Sequence, residues 1–243
     1  MTQWTRFDPA VWSAFLAEDR RGVLFRRGID VAWALLGDAR RPGDSWLDAG
    51  CGPGELAHRL AASGSRVVAL DADRAAVAFA RSHDGQLAAV VGDVERLPIA
   101  SAAVDGVVAT SLVGCLGSPE GLLHEVGRVL RPGGSAVITF TNRWSVLLLA
   151  NRLADRLFGG LPPEVSPGAI RAFSLAEVRR SLAAAGLVPT TARFYNFAVF
   201  IGRWSFPRAR TARRIERVTG RRRGGWLARN FAVVARKPIA NGH

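Results

Sequence analysis

The residues best placed to do chemistry are three glycines and the acids around them, in Trp46-Leu47-Asp48-Ala49-Gly50-Cys51-Gly52-Pro53-Gly54-Glu55. Glycines at 50, 52 and 54 remove Cβ atoms where a ligand must approach the backbone. The apolar run before them reads as a strand, and Leu56-Ala57-His58-Arg59-Leu60 after them reads as a helix. Free amides and the positive end of the helix dipole therefore meet at the loop, which suits a carboxylate or a phosphate. A dinucleotide fingerprint, G-x-G-x-x-G/A, competes for such a loop. Counted from Gly50, its last position falls on Glu55, a bulky anion facing the pyrophosphate, and the dinucleotide reading loses. Further along, Asp71 closes the apolar run Val67-Val68-Ala69-Leu70, where a carboxylate can accept from two vicinal hydroxyls or simply cap the next helix. Asp93, taken alone, is a turn residue.

Taken together these segments resemble a known family. Asp48-Ala49-Gly50-Cys51-Gly52-Pro53-Gly54 is similar to the first motif of class I S-adenosylmethionine-dependent methyltransferases, and the likeness continues in order from about Asp44 to Arg143. The resemblance implies that Asp48, Ala49, Gly50, Cys51, Gly52 and Gly54 surround the cofactor and that Asp71, followed by Ala72, holds the ribose. Gly92-Asp93-Val94-Glu95-Arg96-Leu97-Pro98 is similar to the family's adenine-binding turn, with Asp93 accepting from the 6-amino group and the Val94 backbone at the ring edge. Val104-Asp105-Gly106-Val107-Val108 resembles the fourth strand, and His124 through Gly134 the helix and turn leading to the fifth. Ser111, just past the fourth strand, falls beside the cofactor by the same resemblance. The surrounding Thr110-Ser111-Leu112-Val113-Gly114-Cys115 lacks the Asn/Asp-Pro-Pro-aromatic signature of many base-modifying methyltransferases.

A methyl group on a sulfonium is already activated, so the acceptor needs alignment and dry surroundings more than covalent help. Proximity and orientation can supply up to about 7–11 kcal/mol of the barrier. No general base is assigned. His58, His83, His124 and His243 fall in a helix, a polar turn, a helix edge and a tail, and no His/Asp/Glu cluster has metal-ligand spacing. No metal is expected. By resemblance the acceptor lies under an N-terminal helical cover and an insert after the fifth strand. Trp12 and Phe15 in the first, Asn142 and Arg143 at the start of the second, and Tyr195, the only tyrosine, are the substrate candidates. For Tyr195 the competing reading is a half-buried aromatic with its hydroxyl satisfied. An aromatic-rich cover suits a hydrophobic small molecule, methylated at oxygen in the preferred reading, although ordinary packing would use the same residues.

The elements that must hold these residues alternate. Strands are predicted at Ser45–Ala49, Arg66–Leu70, Ala88–Gly92, Val104–Ala109 and Ser135–Phe140, with helices near 54–63, 73–82 and 119–130. Such alternation means βαβ units and a parallel sheet covered on both faces. Residues 8–36 read as helical. Ser118-Pro119 opens one helix, Ser174 and Glu177 form a capping box for another, and Gly186 stops it. Leu187–Tyr195 and Asn230–Arg236 read as closing antiparallel strands. The expected fold is α/β: a Rossmann-like, seven-stranded, mostly parallel sheet with helices on both faces and a small helical lid. One domain spans 1–243, with the lid at 1–43, the cofactor core at 44–140, a lid insert at 141–173 and the rest of the sheet at 174–243.

Length and composition agree. A chain of 243 residues, 49% hydrophobic and 22% charged, suits one domain and excludes disorder. Its apolar runs, Val146–Ala150 among them, are far short of the roughly 20 residues of a spanning helix. With no apolar leader at the N-terminus and only Cys51 and Cys115, a cytoplasmic protein is expected. The net charge of +13 is concentrated: Arg203 to Arg229 holds ten arginines against Glu216, a balance of +9. That segment carries no recognisable RNA-binding module, and no nucleic-acid partner is expected. The preferred reading of the segment is a solvated helix covering part of the sheet, and two others compete with it, a phosphate-contact strip on RNA and a basic amphipathic helix lying on a membrane surface. A non-catalytic descendant of the cofactor fold is the remaining alternative.

Overall fold

A computed structural model describes residues 22–37, 40–83, 85, 87–158, 170–197, 199–201, 204–206, 211, 214 and 225–239. Trp12 and Phe15, most of the arginine-rich segment and the first part of the predicted N-terminal helix lie outside them. The strands are β1 (Ser45–Ala49), β2 (Arg66–Asp71), β3 (Ala88–Val91), β4 (Val104–Ala109), β5 (Leu130–Thr141), β6 (Val188–Tyr195), β7 (Val199–Ile201), β8 (Trp204–Phe206) and β9 (Asn230–Arg236). The helices are α1 (Gly22–Leu36), α2 (Glu55–Ala62), α3 (Arg74–His83), α4 (Glu120–Val129), α5 (Val146–Phe158) and α6 (Leu175–Ala184).

Seven strands form one sheet in the order β3-β2-β1-β4-β5-β9-β6. The first five run parallel, and β9 is antiparallel to both β5 and β6. The two closing strands therefore pair as expected, although some thirty residues of chain separate them, including a separate ribbon of β7 and β8 that the sequence did not announce. The parallel strands are nearly continuous apolar runs because both faces are covered. On one face α1, α2 and α3 bury Ile29, Leu36, Leu60 and Val77 against Trp46, Ala69 and Val108. On the other, α4 and α6 bury Leu122, Val126 and Leu182 against Leu47, Val107 and Phe140.

Local chemistry fixes the helix ends. The Ser174 hydroxyl accepts from the Glu177 backbone N–H at 3.2 Å while the Glu177 carboxylate accepts from Ser174 N–H at 2.8 Å, the reciprocal pair of a capping box. Gly186, at φ +73°, ends that helix in the left-handed region. At α4 the Ser118 hydroxyl accepts from Glu120 N–H at 3.3 Å, and the helix proper begins one residue later than the sequence suggested. The described part of the expected lid is α1. It packs on the sheet rather than standing free of it, because Ile29, Ala32 and Leu36 share one face that Trp46 and its neighbours cover.

Candidate functional site

Strand order reverses between β1 and β4, and in an open parallel sheet the crevice beyond the strand ends at that point is where ligands bind. The glycine loop leaves β1 there. It is tied across the end of β2 by Gly50 N–H and Cys51 N–H donating to Leu70 O at 2.7 and 2.9 Å. Gly50, Gly52 and Gly54 all have positive φ, at +71°, +51° and +83°, which a side chain would strain. Their open sides differ. A Cβ at Gly50 would come within 2.8 Å of Leu112, and one at Gly54 within 2.8 Å of Ala80. At Gly52 nothing stands within 4 Å, so this residue presents bare backbone to the crevice.

Two carboxylates stand at the ends of the strands that lead to it. Asp71 is half-buried at the end of β2, its Oδ2 accepting from Gly52 N–H and its Oδ1 from Asp73 N–H, both at 2.9 Å. A carboxylate offers about four lone-pair sites, so two remain for a diol. Asp48 is fully buried at the end of β1, and neither of its oxygens has a hydrogen-bond partner among the described residues. Burial pushes its carboxyl up to about 7, with the Ala57 backbone opposing the shift and the Asp71 charge adding to it. An orphaned buried acid is costly, and a cationic ligand group beside it would relieve that cost.

The acid gives a pH-dependent stability with a definite sign. A folded-state value near 7 against an ordinary 3.8 means the folded chain holds this proton more tightly than the unfolded one. The group's contribution is complete below about pH 4, shrinks as pH rises towards 7 and is level above that. Asp48→Asn should therefore melt at higher temperature than the parent at about pH 8. The gap should close as the pH falls towards 4, and affinity for a cationic ligand should drop. Coincident melting curves across that range would show that Asp48 is not buried as described.

The remaining expected residues fall at the same edge. Gly92 N–H donates to Asp71 O at 3.0 Å, which sets the β3 turn beside β2. There Asp93 is exposed and accepts from Glu95 N–H at 2.9 Å, while Val94 is buried. Ala72 is exposed next to Asp71. Ser111, beyond β4, is a non-glycine residue at φ +57°, held by its N–H donating to the Thr139 hydroxyl at 2.8 Å. Strain of this kind persists only where surroundings enforce it. Asp48, Ala49, Gly50, Cys51, Gly52, Gly54, Asp71, Ala72, Asp93, Val94 and Ser111 thus share one end of the sheet.

The substrate candidates separate. Tyr195 is buried against Val31 and Ala232. A Cβ at Gly28 of α1 would lie 3.3 Å from the Tyr195 hydroxyl and 3.7 Å from Ser111 Oγ, so α1 brings these two oxygens to the same neighbourhood. The sequence signal for it is a glycine inside a helix. Asn142 is buried with Nδ2 donating to Gly225 O and Ala228 O at 2.6 and 2.8 Å, a tether for the chain entering β9. Arg143 donates to Glu177 Oε1 at 2.7 Å and to Ala172 O, and it lines a separate cleft of about 260 Å³ with Arg171, Phe173 and Arg180. Both side chains are thereby engaged away from the glycine loop. His58 Nε2 lies behind the loop towards Ala80, and His124 is exposed on α4. Among the described residues no three His, Cys, Asp or Glu side chains form a metal-binding group.

With this geometry in view, the comparisons are direct. Residues 47–138 match the family model described as a methyltransferase domain. The likeness to a methyltransferase domain therefore spans β1 through most of β5. A malonyl-[acyl-carrier protein] O-methyltransferase of Pseudescherichia vulneris is 36% identical over 121 residues, covering 50% of this chain and 47% of that protein. The chain spans about half the length of the curated relatives it matches. A Haloferax volcanii methyltransferase solved with a methyltransferase activator superposes with a TM-score of 0.66 at 21% identity, over 96% of this chain and 99% of that one. The [4+2]-cyclase SpnF superposes with 0.59 at 21% identity, over 87% and 82%. Likeness at this identity establishes the Rossmann-like methyltransferase fold, and SpnF is a cyclase, so chemistry has to be argued from the site.

Family and fold imply S-adenosylmethionine as the cofactor, and the residues present fit it. The unpartnered Asp48 suits an ammonium group, the free lone pairs of Asp71 suit a ribose diol, and bare Gly52 leaves room for close approach.

Proposed function

We propose that the chain is an S-adenosylmethionine-dependent methyltransferase that transfers the methyl group to an oxygen of a hydrophobic or acyl small molecule. The observation that carries this reading is the pair of carboxylates at the ends of β1 and β2, Asp48 buried and unpartnered, Asp71 bonded to Gly52 N–H with lone pairs to spare. When bound, the cofactor supplies an activated methyl group whose sulfur leaves as a neutral thioether. Asp48 would hold the cofactor's ammonium group and Asp71 its ribose diol, so that the activated methyl group would face the acceptor oxygen. The chain's part is to bind, align and exclude water.

The described residues offer no histidine at the crevice to remove a proton. The two thiols are no substitute, because burial pushes Cys51 up strongly and Cys115 up to about 12, and both stay protonated at neutral pH. An acceptor oxygen already ionised, such as a carboxylate, suits a site that works by positioning. The relatives matched over about half their length, malonyl-[acyl-carrier protein] O-methyltransferases, support the same choice of atom.

The test is transfer from methyl-labelled cofactor to a panel of carboxylic acids, acyl thioesters, phenols and RNA. We expect label on an acidic acceptor, released by alkali as a methyl ester would be. Alkali-stable label, or label on RNA, would overturn the assignment to a carboxyl oxygen.

A further inference from the structure

Helix α5 leaves the same edge of the sheet that carries the glycine loop, and one of its faces is uncovered. Val146, Leu149, Leu153 and Leu157, at steps of three and four, lie on one side of the helix. Together with Trp144 and Trp226 they are between 50% and 69% exposed. The opposite side is anchored, with Leu148 buried and α5 packed against β7. A row of large apolar side chains about 16 Å long is more than the scattered exposure of ordinary surfaces and marks a contact.

This row is held rather than loose. Ser145 caps α5, its hydroxyl accepting from Leu148 N–H at 3.0 Å and donating to Leu227 O at 3.1 Å. Val146 N–H donates to Trp226 O at 2.9 Å. Both tryptophans are therefore fixed at the N-terminal end of the stripe, one on each of two hydrogen-bonded segments. The second segment continues the arginine-rich run. Arg221, Arg222 and Arg223 precede Trp226 by three to five residues in the sequence.

We propose that this face docks on an anionic lipid surface, with the α5 leucines and the two tryptophans entering the headgroup region. Apolar stripe, interfacial tryptophans and adjacent basic charge are the three features such contacts combine. Charge selects this occupant over a second copy of the chain. Two chains of net charge +13 repel one another, whereas an acidic bilayer attracts each of them. The contact would set the crevice edge beside the bilayer, where a lipophilic acceptor partitions. It stands apart from the methyl-transfer reading, since vesicle binding is measured without turnover.

The experiment is flotation of the full chain with vesicles of phosphatidylcholine alone and of phosphatidylcholine and phosphatidylglycerol in equal amounts. We expect flotation with the mixed vesicles, little with the neutral ones, and release as salt is raised. Leu149→Glu with Leu153→Glu should weaken partitioning at least tenfold, while the circular dichroism spectrum and cofactor affinity stay as in the parent. Should that pair destabilise the fold, Trp144→Ser alone should still weaken partitioning severalfold. Failure of the parent to bind mixed vesicles would overturn the proposal, as would equal binding by the folded variants. So would a parent dimer, by light scattering, that the leucine variant converts to a monomer without either floating.

Discussion

Asp71→Ala should weaken cofactor binding at least tenfold, about 1.4 kcal/mol, by calorimetry. Tenfold is a floor. Hydrogen bonds to a charged acceptor contribute about 1.5–3 kcal/mol each, and the carboxylate has two lone-pair sites left after serving Gly52 and Asp73. The same substitution frees Gly52 N–H, so part of the loss would come from a loosened loop. A cofactor analogue lacking a ribose hydroxyl separates the two effects. The parent should discriminate against it and the alanine variant should not, whereas loop loosening alone would leave the discrimination intact. Turnover at saturating cofactor should change far less than affinity, because the ribose contact is made equally before and during transfer. Equal affinity in parent and variant would remove Asp71 from the site.

What the sequence made legible was what local physics controls. The glycine loop could be read because positive φ, a preceding strand and a following helix are all coded within ten residues, and Asp71 because it ends an apolar run. The capping box at Ser174 and the stop at Gly186 are equally local. What stayed hidden depends on contacts between distant segments. Nothing near Gly28 says that its missing side chain makes room for the Tyr195 hydroxyl and Ser111 Oγ. Nothing near Arg143 says that Glu177, thirty-four residues on, will draw its guanidinium away from the loop. Asn142 lay beside a predicted cover and looked like a substrate contact, but two carbonyls of the 225–228 turn claim it. The apolar insert was expected as a cover over the acceptor. Its leucines are evident in the sequence, but that they face outward depends on which side of α5 the β7 strand packs against.

The second large effect concerns how β1 is held, and through it the loop. Gly106 of β4 stands opposite Trp46 of β1, and the indole lies across it. A Cβ at position 106 would come within 2.2 to 2.4 Å of three ring carbons, a distance no pair of carbons tolerates. The ring has little room to retreat. It is buried in the cluster with Ile29, Ala32, Leu36, Leu60 and Val108, where interiors are packed to crystal density. Gly106→Ala should therefore cost about 3 kcal/mol, the upper part of the range for overpacking, and lower the melting temperature by roughly 6–12 °C in a chain of this size. Gly117→Ala is the control. Nothing lies within 4 Å of its Cβ position, and the change should stay within about 0.5 kcal/mol. Trp46→Leu should offset much of the loss in the Gly106→Ala background while destabilising the parent, a coupling that a double-mutant cycle measures. Because Trp46 and Asp48 are two residues apart on the same face of β1, a displaced indole should also shift the buried carboxylate. Cofactor affinity in Gly106→Ala should then fall even well below its melting temperature. Melting at the parent's temperature would mean that the indole does not lie across Gly106, and the link from core packing to the loop would be lost with it.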